Sequence, residues 1–320
     1  MKRRTTYLLK SLMVLFLALF GCQKEVEIDI PGYEEKVVFD GRIETGLPPF
    51  LLISKTNDIY APTDLSSILS SFQSGAQVQM IVGADTVMLD EICSDNLPAG
   101  TEEPFAAFFG VDVADLAFLN ICLYTTLNPS FTGQVGKTYV LNITFEGKTY
   151  SATTSIVPPV ELDSVYWKED PNTVNNGFCW ARLTDPADVY NAYFWESRRI
   201  HLSAEGEPTD PQFVPTFSPA TDDTFFDGLS FEFGYENPHN FNEETPAEER
   251  GFYQLGDTAV IKFSSLDQQA YDFLEKKYIQ LQSGGSPFAS PINIPSQFSN
   301  GGLGSWIGYS STLDTLYCNF

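Results

Sequence analysis

Apolar and polar positions alternate over short stretches along much of the chain. A period of two residues is typical of strands that bury one face. In the N-terminal half strands are predicted at residues 36–43, 50–54, 76–82, 86–89, 137–145 and 149–156, and the alternation is clear at 36–43 and 76–82. Because such strands recur about every 8–12 residues with turn residues between them, the pattern predicts a mainly β fold with an immunoglobulin-like β-sandwich over residues 36–157.

The β pattern continues after the sequence Val157-Pro158-Pro159-Val160. Two prolines cannot continue a hydrogen-bonded ladder and they stiffen a linker, so they predict a domain boundary. A second β-sandwich or barrel-like domain is predicted over residues 160–320, with strands at 162–167, 177–184, 190–200 and 258–263. Residues 177–184 and 190–200 are predicted to pair with each other around the turn that begins at Asp185-Pro186.

Two segments have a different period. Apolar residues recur at helical spacing from Leu266 to Leu281, and Gly284-Gly285 follows, so one amphipathic helix is predicted at 266–282. The insertion between Cys93 and Cys122 contains an apolar stretch that is interpreted either as a helical cover on the sandwich or as a loop reaching a partner; the cover is favoured.

A polar stretch from 203 to 250 is rich in Pro, Asp, Glu and Phe and is predicted to be one long acidic loop. Loops of this length are usually either functional or disordered. Its aromatic residues are hard to bury within a single loop, and aromatic side chains are enriched at the centres of interfaces. They are therefore predicted to form a partner-binding patch, consisting of Phe213, Phe217, Phe225, Phe226, Phe231 and Phe233.

The first 21 residues have the layout of a signal peptide. Basic residues at positions 2–4 precede an apolar run that is too short to span a membrane comfortably, and Gly21-Cys22 follows. The tetrad Leu19-Phe20-Gly21-Cys22 resembles the bacterial lipobox, which predicts that Cys22 carries the lipid anchor and becomes the new N-terminus. The alternative is an ordinary signal peptide with an incidental cysteine.

Residues 22–35 form an acidic tether after that cysteine. The tether resembles those of lipoproteins that are displayed on the outer membrane, so a location facing the cell exterior is predicted, with a periplasmic location as the alternative. Removal of residues 1–21 takes away four basic residues and no acidic one, and the formal charge moves from −24 to −28. A chain this acidic is repelled by phosphate backbones, which excludes nucleic acid as a partner.

Four further cysteines are present, and four thiols in an oxidising compartment allow three pairings. We predict Cys93 with Cys122, at the two ends of the insertion, and Cys179 with Cys318. No metal site is predicted, since the chain has no C-x-x-C and only two histidines. Asp222-Asp223 with Asp227-Gly228 weakly suggests calcium, but the closing Glu of an EF-hand is missing.

No catalytic group is predicted. His201 and His239 are interpreted as solvent-facing loop residues, and neither lies beside a recognisable nucleophile motif. Neither a P-loop nor a G-x-G-x-x-G run is present, so no cofactor is expected. The sequence favours a binding module over an enzyme, with an envelope hydrolase as a remote alternative.

The most specific sequence motifs lie near the C-terminus: Gly256-Asp257-Thr258, the Pro-rich residues 286–295, the Gly-rich residues 299–304, and Trp306 to Tyr309. Through these motifs, together with the lipobox and the strand at 38–43, the chain resembles the DUF4249 family of Bacteroidota lipoproteins. The resemblance implies a surface lipoprotein that caps or assists a TonB-dependent outer-membrane receptor, with no catalytic residues to carry over. The alternative is an independent adhesin or a glycan- or peptide-binding module, and the ligand is not identified.

Overall fold

The predicted alternation corresponds to strands throughout the structure, and the mainly β prediction is confirmed. A computed structural model describes residues 33–57, 69–119, 121–202, 206, 209–241, 245–283 and 292–319. The signal peptide, Cys22 and most of the acidic tether lie outside the described residues.

The strands of the first half are β1 (Val37–Glu44), β2 (Phe50–Lys55), β3 (Gln77–Val82), β4 (Asp85–Met88), β5 (Asp90–Cys93), β6 (Cys122–Thr125), β7 (Thr138–Phe145) and β8 (Lys148–Ser155). Those of the second half are β9 (Ser164–Glu169), β10 (Asn176–Thr184), β11 (Ala192–Arg199), β12 (Val214–Asp222), β13 (Ser230–Tyr235), β14 (Tyr253–Gln254), β15 (Thr258–Leu266) and β16 (Leu303–Tyr317). The α-helices that lie wholly within the described residues are α1 (Glu102–Phe109), α2 (Leu116–Leu119) and α3 (Gln268–Ser283).

The strands form one large sheet and two small ones. The large sheet has the order β12-β11-β15-β16-β1-β2-β6-β5. One small sheet has the order β4-β3-β7-β8. In the other, β10 pairs with β13 and β14 along one edge and with β9 along the other edge. Each small sheet packs on one half of the large sheet, so each half of the unit is a sandwich.

Strand β16 joins the two halves of the large sheet. Its first part, Leu303 to Tyr309, pairs in parallel with β1, and its second part, Ser310 to Tyr317, pairs in antiparallel fashion with β15. Trp306, in the first part, is fully buried in the core beneath β3 and β7, and Leu316, in the second part, is fully buried in the other core. One strand therefore contributes to both hydrophobic cores.

The division into two domains at Val157-Pro158-Pro159-Val160 is not what the structure shows. These residues do lie between the cores, since Ile156 belongs to the first core and Leu162 to the second. However, the chain from Glu35 to Phe320 forms one compact unit, because β16 runs through the large sheet from one core to the other. Two cores share a single sheet.

Two further predictions about the second half are wrong. Strands β10 and β11 do not pair: β10 lies in a small sheet and β11 in the large sheet, and they face each other across the second core. The segment 203–250 is not one loop either, because β12 and β13 both lie within it. The alternation in β13 extends over only six residues, so the acidic, Pro-rich composition of the surrounding segment hides the strand.

Helices cover the opposite face of the large sheet. Alternation places Phe194 and Ile307 on the face away from Trp195 and Trp306, and helix α3 packs there through Ala270 and Leu274. Helices α1 and α2 cover β2 and β6 in the same way, against Leu52 and Leu123. The predicted helix at 266–282 and the favoured helical cover in the 93–122 insertion are both present. No helix among the described residues has the length and apolarity needed to cross a membrane.

Candidate functional site

The six phenylalanines predicted to form a binding patch are separated in the structure. Phe226, Phe231 and Phe233 pack against the second core. Phe213 is half-buried on the helix-covered face of the large sheet, whereas Phe217 and Phe225 are 66% and 91% exposed. The patch therefore does not exist as one surface, and the residues around Phe213 define a different feature.

That feature is a cleft between helix α1 and the segment that precedes β12. Its volume is about 410 Å³. The base is formed by charged side chains on three strands of the large sheet: Arg42 and Glu44 on β1, Glu196 and Arg198 on β11, and Lys262 on β15, with β16 between β15 and β1. Alternation explains the arrangement, because these positions point away from the apolar residues that fill the sandwich cores. Five charges therefore meet on one patch of the sheet.

Lys262 lies at the centre of the cleft base and its side chain is only 9% exposed. Its Nζ atom lies 2.7 Å from Glu196 Oε2 and 3.5 Å from Glu44 Oε2. A buried ammonium is strongly unfavourable unless it is paired, and here two carboxylates neutralise it. Lys262, Glu44 and Glu196 therefore form a fixed polar cluster at the base of the cleft. Lys262 is not a free cation there.

Arg198 is held differently. Its guanidinium lies 4.7 Å from the centre of the Phe213 ring, and the Nζ of Lys262 lies 4.9 Å from the same ring. The Nε atom of Arg198 is buried and has no hydrogen-bond partner among the described residues. A guanidinium held against an aromatic ring is a typical recognition element for carboxylate or phosphate oxygens.

A hydrogen bond closes one wall of the cleft. The side-chain amide of Gln212 donates to the backbone carbonyl of Ala107 near the end of α1. This contact joins the segment before Phe213 to the helix that covers β2 and β6. The walls of the cleft thus come from both halves of the chain.

An apolar groove of about 370 Å³ adjoins the charged cleft, and the two share Arg42, Glu44 and Leu47. The groove is otherwise lined almost wholly by apolar side chains and prolines, among them Pro48, Phe50, Ile92, Phe105, Leu123 and Leu127. Leu47 and Leu127 are exposed at its rim. The combined site offers a charged floor at one end and an apolar channel at the other.

The cleft base carries three basic and two acidic side chains, so its formal charge is positive in a chain of net charge −24. Since Lys262 is already neutralised, Arg198 is the group best placed to meet an anion. Pockets of a few hundred Å³ with an apolar lining and a few fixed polar groups are the usual form of a ligand site. The geometry suits an amphipathic molecule with an anionic end.

Cysteine positions follow the prediction for one pair and depart from it for the other. Cys93 and Cys122 form a disulfide at the base of the insertion that carries α1. Cys179 and Cys318 are free thiols buried in the second core, so the second predicted disulfide is not formed. Burial raises the pKa of the Cys318 thiol to about 12 and the pKa of the Cys179 thiol well above its ordinary value. Both thiols are therefore protonated and unreactive at neutral pH.

The prediction that His239 faces solvent is wrong. Its side chain is 10% exposed, its Nε2 donates to the backbone carbonyl of Ser197 at 2.8 Å, and its Nδ1 lies 3.5 Å from Asp210 Oδ1. Asp210 also accepts two hydrogen bonds from the Arg199 guanidinium, both at 2.9 Å. These side chains tie the end of β11 to the segments that follow it, and the Ser197 hydroxyl accepts from Tyr253, so no activated nucleophile is formed.

Three carboxylates lie close enough together to hold a cation: Asp185, Asp223 and Asp227. The weak calcium pattern in the sequence included two of them. Asp185 accepts hydrogen bonds from the Tyr193 hydroxyl and from the Gly228 backbone N–H, and Asp223 accepts from the Asn191 backbone N–H. These donors fix the connection that carries the chain from β10 in one sheet to β11 in the other. The carboxylates therefore stabilise the connection between β10 and β11.

Sequence reasoning missed the cleft, although a signal for it was present. Lys262 stands between Ile261 and Phe263 in an otherwise apolar strand, and Glu196 follows Trp195 in another. A charged residue inside an apolar strand predicts either a solvent-facing side or a polar site. Only the sheet order brings β1, β11 and β15 together, and no pattern in the sequence predicts that order.

The chain was compared with known proteins. A search of curated proteins finds no match. A family model described as "Domain of unknown function (DUF4249)" matches residues 23–314, which is most of the chain and includes every strand that lines the cleft. The chain therefore belongs to the DUF4249 family.

Proposed function

We propose that this protein is a non-enzymatic binding lipoprotein of the outer membrane that captures an amphipathic anionic ligand and assists a TonB-dependent transporter. The observation that carries the binding role is the cleft, which contains the Arg198 guanidinium over the Phe213 ring and shares Arg42, Glu44 and Leu47 with an apolar groove. An anionic end would meet Arg198, and an apolar chain would lie between α1 and the rim residues Leu47 and Leu127.

Binding is favoured over catalysis by the state of the polar groups. Lys262 is neutralised by Glu44 and Glu196, and His239 is held by a backbone carbonyl and a carboxylate. A general base or nucleophile needs a side chain that is free to exchange a proton with a substrate. These groups are instead engaged in fixed pairs.

The envelope location is supported by the sequence. The lipobox-like tetrad that ends at Cys22 provides an acyl acceptor, and the acidic tether that follows suits display at the cell exterior. The transporter partnership is supported by the resemblance of the chain to lipoproteins that accompany TonB-dependent receptors. An independent surface binder would use the same cleft without that partner.

Calorimetric titration of the mature chain tests the ligand class. Octanoate has a charge and a chain, 1-octanol has the chain alone, and acetate has the charge alone. We expect octanoate to bind most tightly, and Arg198→Gln to weaken it by at least about tenfold, the effect of losing a charge-assisted hydrogen bond. Arg182→Gln is the matched control, because Arg182 lies on β10, away from the cleft. Equal affinities for octanoate and 1-octanol would contradict an anion site.

The partnership is tested by isolating the tagged, lipidated protein from native outer membranes in mild detergent. Stoichiometric recovery of a TonB-dependent barrel is the expected result. Cys22→Ser is the control, since it lacks the acyl acceptor and should be lost from the membrane fraction. Recovery of the lipoprotein alone, with octanoate binding intact, would leave an independent surface binder.

A further inference from the structure

A further cavity lies on the same face of the large sheet as the charged cleft. Its volume is about 360 Å³, and its walls come from β1, helix α3, the first part of β16 and the segment that precedes β16. Alternation places Val38 and Asp40 on this face, while Phe39 points into the first core. Arg42 and Glu44, the next residues of β1 on the same face, line the cleft.

One wall of the cavity is a short strap, residues 292–296, which is fixed at both ends. The backbone N–H of Ile292 donates to the side chain of Gln280 on α3 at 2.8 Å. The Ser296 hydroxyl donates to the backbone carbonyl of Gly302 at 2.7 Å. The strap is therefore tied to the helix on one side and to the start of β16 on the other, so the cavity is formed before a ligand enters, as is usual for ligand sites.

Two side chains of opposite charge line the cavity, Asp40 on β1 and Lys277 on α3. Within the part of the chain that the structure describes, neither forms an ion pair. Burial, Glu196 and Asp40 all raise the pKa of Tyr278 on α3, which places the Asp40 carboxylate on the helix side of the sheet. Asp40 is exposed and Lys277 is half-buried, so a ligand can reach both charges from solvent.

The remaining wall is mainly apolar and consists of Val38, Phe273, Ile294, Pro295 and Leu303, beside two serines and backbone. Phe273 and Lys277 lie one turn apart on α3, so a ring and an ammonium group line the same side of the cavity. The volume is more than twice the ~150 Å³ that holds one benzene ring. There is therefore room for two aliphatic side chains joined by a short backbone.

The two charges restrict the class of ligand. A simple anion attracted by Lys277 is repelled by the Asp40 carboxylate, and a simple cation attracted by Asp40 is repelled by Lys277. A molecule with one charge of each sign is complementary to both. Because the two side chains are not in contact, the charges of the ligand must also be separated, and each extended residue of a peptide spans about 3.3–3.6 Å. A dipeptide with free ends meets these conditions.

We propose that this cavity binds a short apolar peptide with free ends, whose terminal ammonium pairs with Asp40 and whose terminal carboxylate pairs with Lys277. The side chains of the peptide lie against the apolar part of the wall. The site uses neither Arg198 nor the apolar groove, so it does not depend on the function proposed for the cleft. Strand β1 thus contributes to two separate sites on one face of the sheet.

Three related probes test the proposal by calorimetric titration of the mature chain at about pH 6.5, where a terminal amine is protonated. Leucyl-leucine carries both charges, N-acetyl-leucyl-leucine carries only the carboxylate, and leucyl-leucinamide carries only the ammonium. Leucyl-leucine should bind about 2- to 5-fold more tightly than either blocked peptide, the effect of one partly exposed ion pair. Equal affinities for the three peptides, or the absence of saturable binding by leucyl-leucine, would overturn the proposal.

Two variants assign each charge to its partner. In Asp40→Asn the acetylated peptide should bind as tightly as leucyl-leucine, and in Lys277→Gln the amide should do so. Lys276→Gln is the matched control, since Lys276 is the adjacent residue of α3 and does not line the cavity. Loss of the same size in Lys276→Gln as in Lys277→Gln would show that only the net charge matters, and would contradict the site.

Arg198→Gln separates this site from the cleft. The variant should bind leucyl-leucine with unchanged affinity while its affinity for octanoate falls. Weaker binding of leucyl-leucine by Arg198→Gln would place the peptide in the cleft and overturn the assignment.

Discussion

At the scale of single residues, buried polar groups decide the local structure of the second half. His239, Asp210 and Arg199 form one connected network beside Ser197, and Asp185 holds Tyr193 and Gly228 at the crossing between the sheets. Each of these side chains is held by a specific partner. A polar group buried in this way is stabilising only while its partners are present.

The histidine in this network makes stability depend on pH. Burial lowers the pKa of His239 below its ordinary value of 6.5, and the neighbouring Arg199 acts in the same direction, against the opposing effects of the Ser197 carbonyl and Asp210. The unfolded chain therefore binds a proton near pH 6.5 that the folded chain does not yet bind. By linkage, the free energy of unfolding decreases as the pH falls from 6.5 towards the lowered pKa.

We expect His239→Gln to remove this part of the pH dependence. Urea unfolding at pH 7.5 and 5.5 measures it: the unaltered chain should lose more stability between the two values than the variant. His201→Gln reports separately how much of the remaining difference comes from the other histidine. An identical loss in the unaltered chain and in His239→Gln would show that His239 does not control the difference.

At the scale of elements, β16 is the strand on which the architecture depends, and Gly304 is the residue that lets it pair with β1. Gly304 has a φ of +107°, and a Cβ atom placed on it would lie 1.9 Å from the backbone oxygen of Phe39. Phe39 is its partner in the parallel ladder. Only glycine combines this backbone conformation with so close an approach.

Gly304→Ala should therefore destabilise the chain by more than about 3 kcal/mol, because strain and a backbone clash add together. Gly301→Ala is the matched control. Gly301 also has a positive φ, of +76°, but nothing lies within 4 Å of a Cβ atom there, so about 1–2 kcal/mol is expected. Urea unfolding of both variants measures the difference. Equal losses would mean that the contact with Phe39 is relieved without cost.

At the scale of the whole molecule, two hydrophobic cores depend on one sheet. The first core is built mainly from residues before 157, yet it contains Phe298 and the fully buried Trp306. A chain that ends near residue 160 lacks both side chains and also lacks the strand that pairs with β1. The cores are distinct, but the first core is incomplete without the C-terminal strand.

A fragment of residues 33–160 is therefore expected not to fold cooperatively. Removal of a buried tryptophan alone costs about 3–5 kcal/mol, and the total stability of a domain is commonly about 5–15 kcal/mol. Circular dichroism in the near ultraviolet and urea unfolding measure the outcome, with the chain of residues 33–320 as the reference. A cooperative transition in the fragment would show that the N-terminal sandwich is independent of β16.

The sequence by itself determined the local elements. Alternation placed β1, β7, β8 and β15 to within a few residues, and helical spacing placed α3, because both periods reflect which face of an element is buried. A short apolar run after a Pro-rich turn placed β2. It also indicated the family and the two ends of the insertion that the disulfide joins. These features depend on residues that are near one another in the chain.

Only the tertiary structure decided which strands are neighbours. Trp306 fills a core whose other members, apart from Phe298, lie more than a hundred residues earlier, and Lys262 meets Glu44 across the join between the two halves of the sheet. Strand β11 pairs with β12 and β15 rather than with β10, which precedes it in the chain. Pairing is set by the fit of whole faces against each other, so the cleft and the single unit follow from contacts that no local pattern encodes.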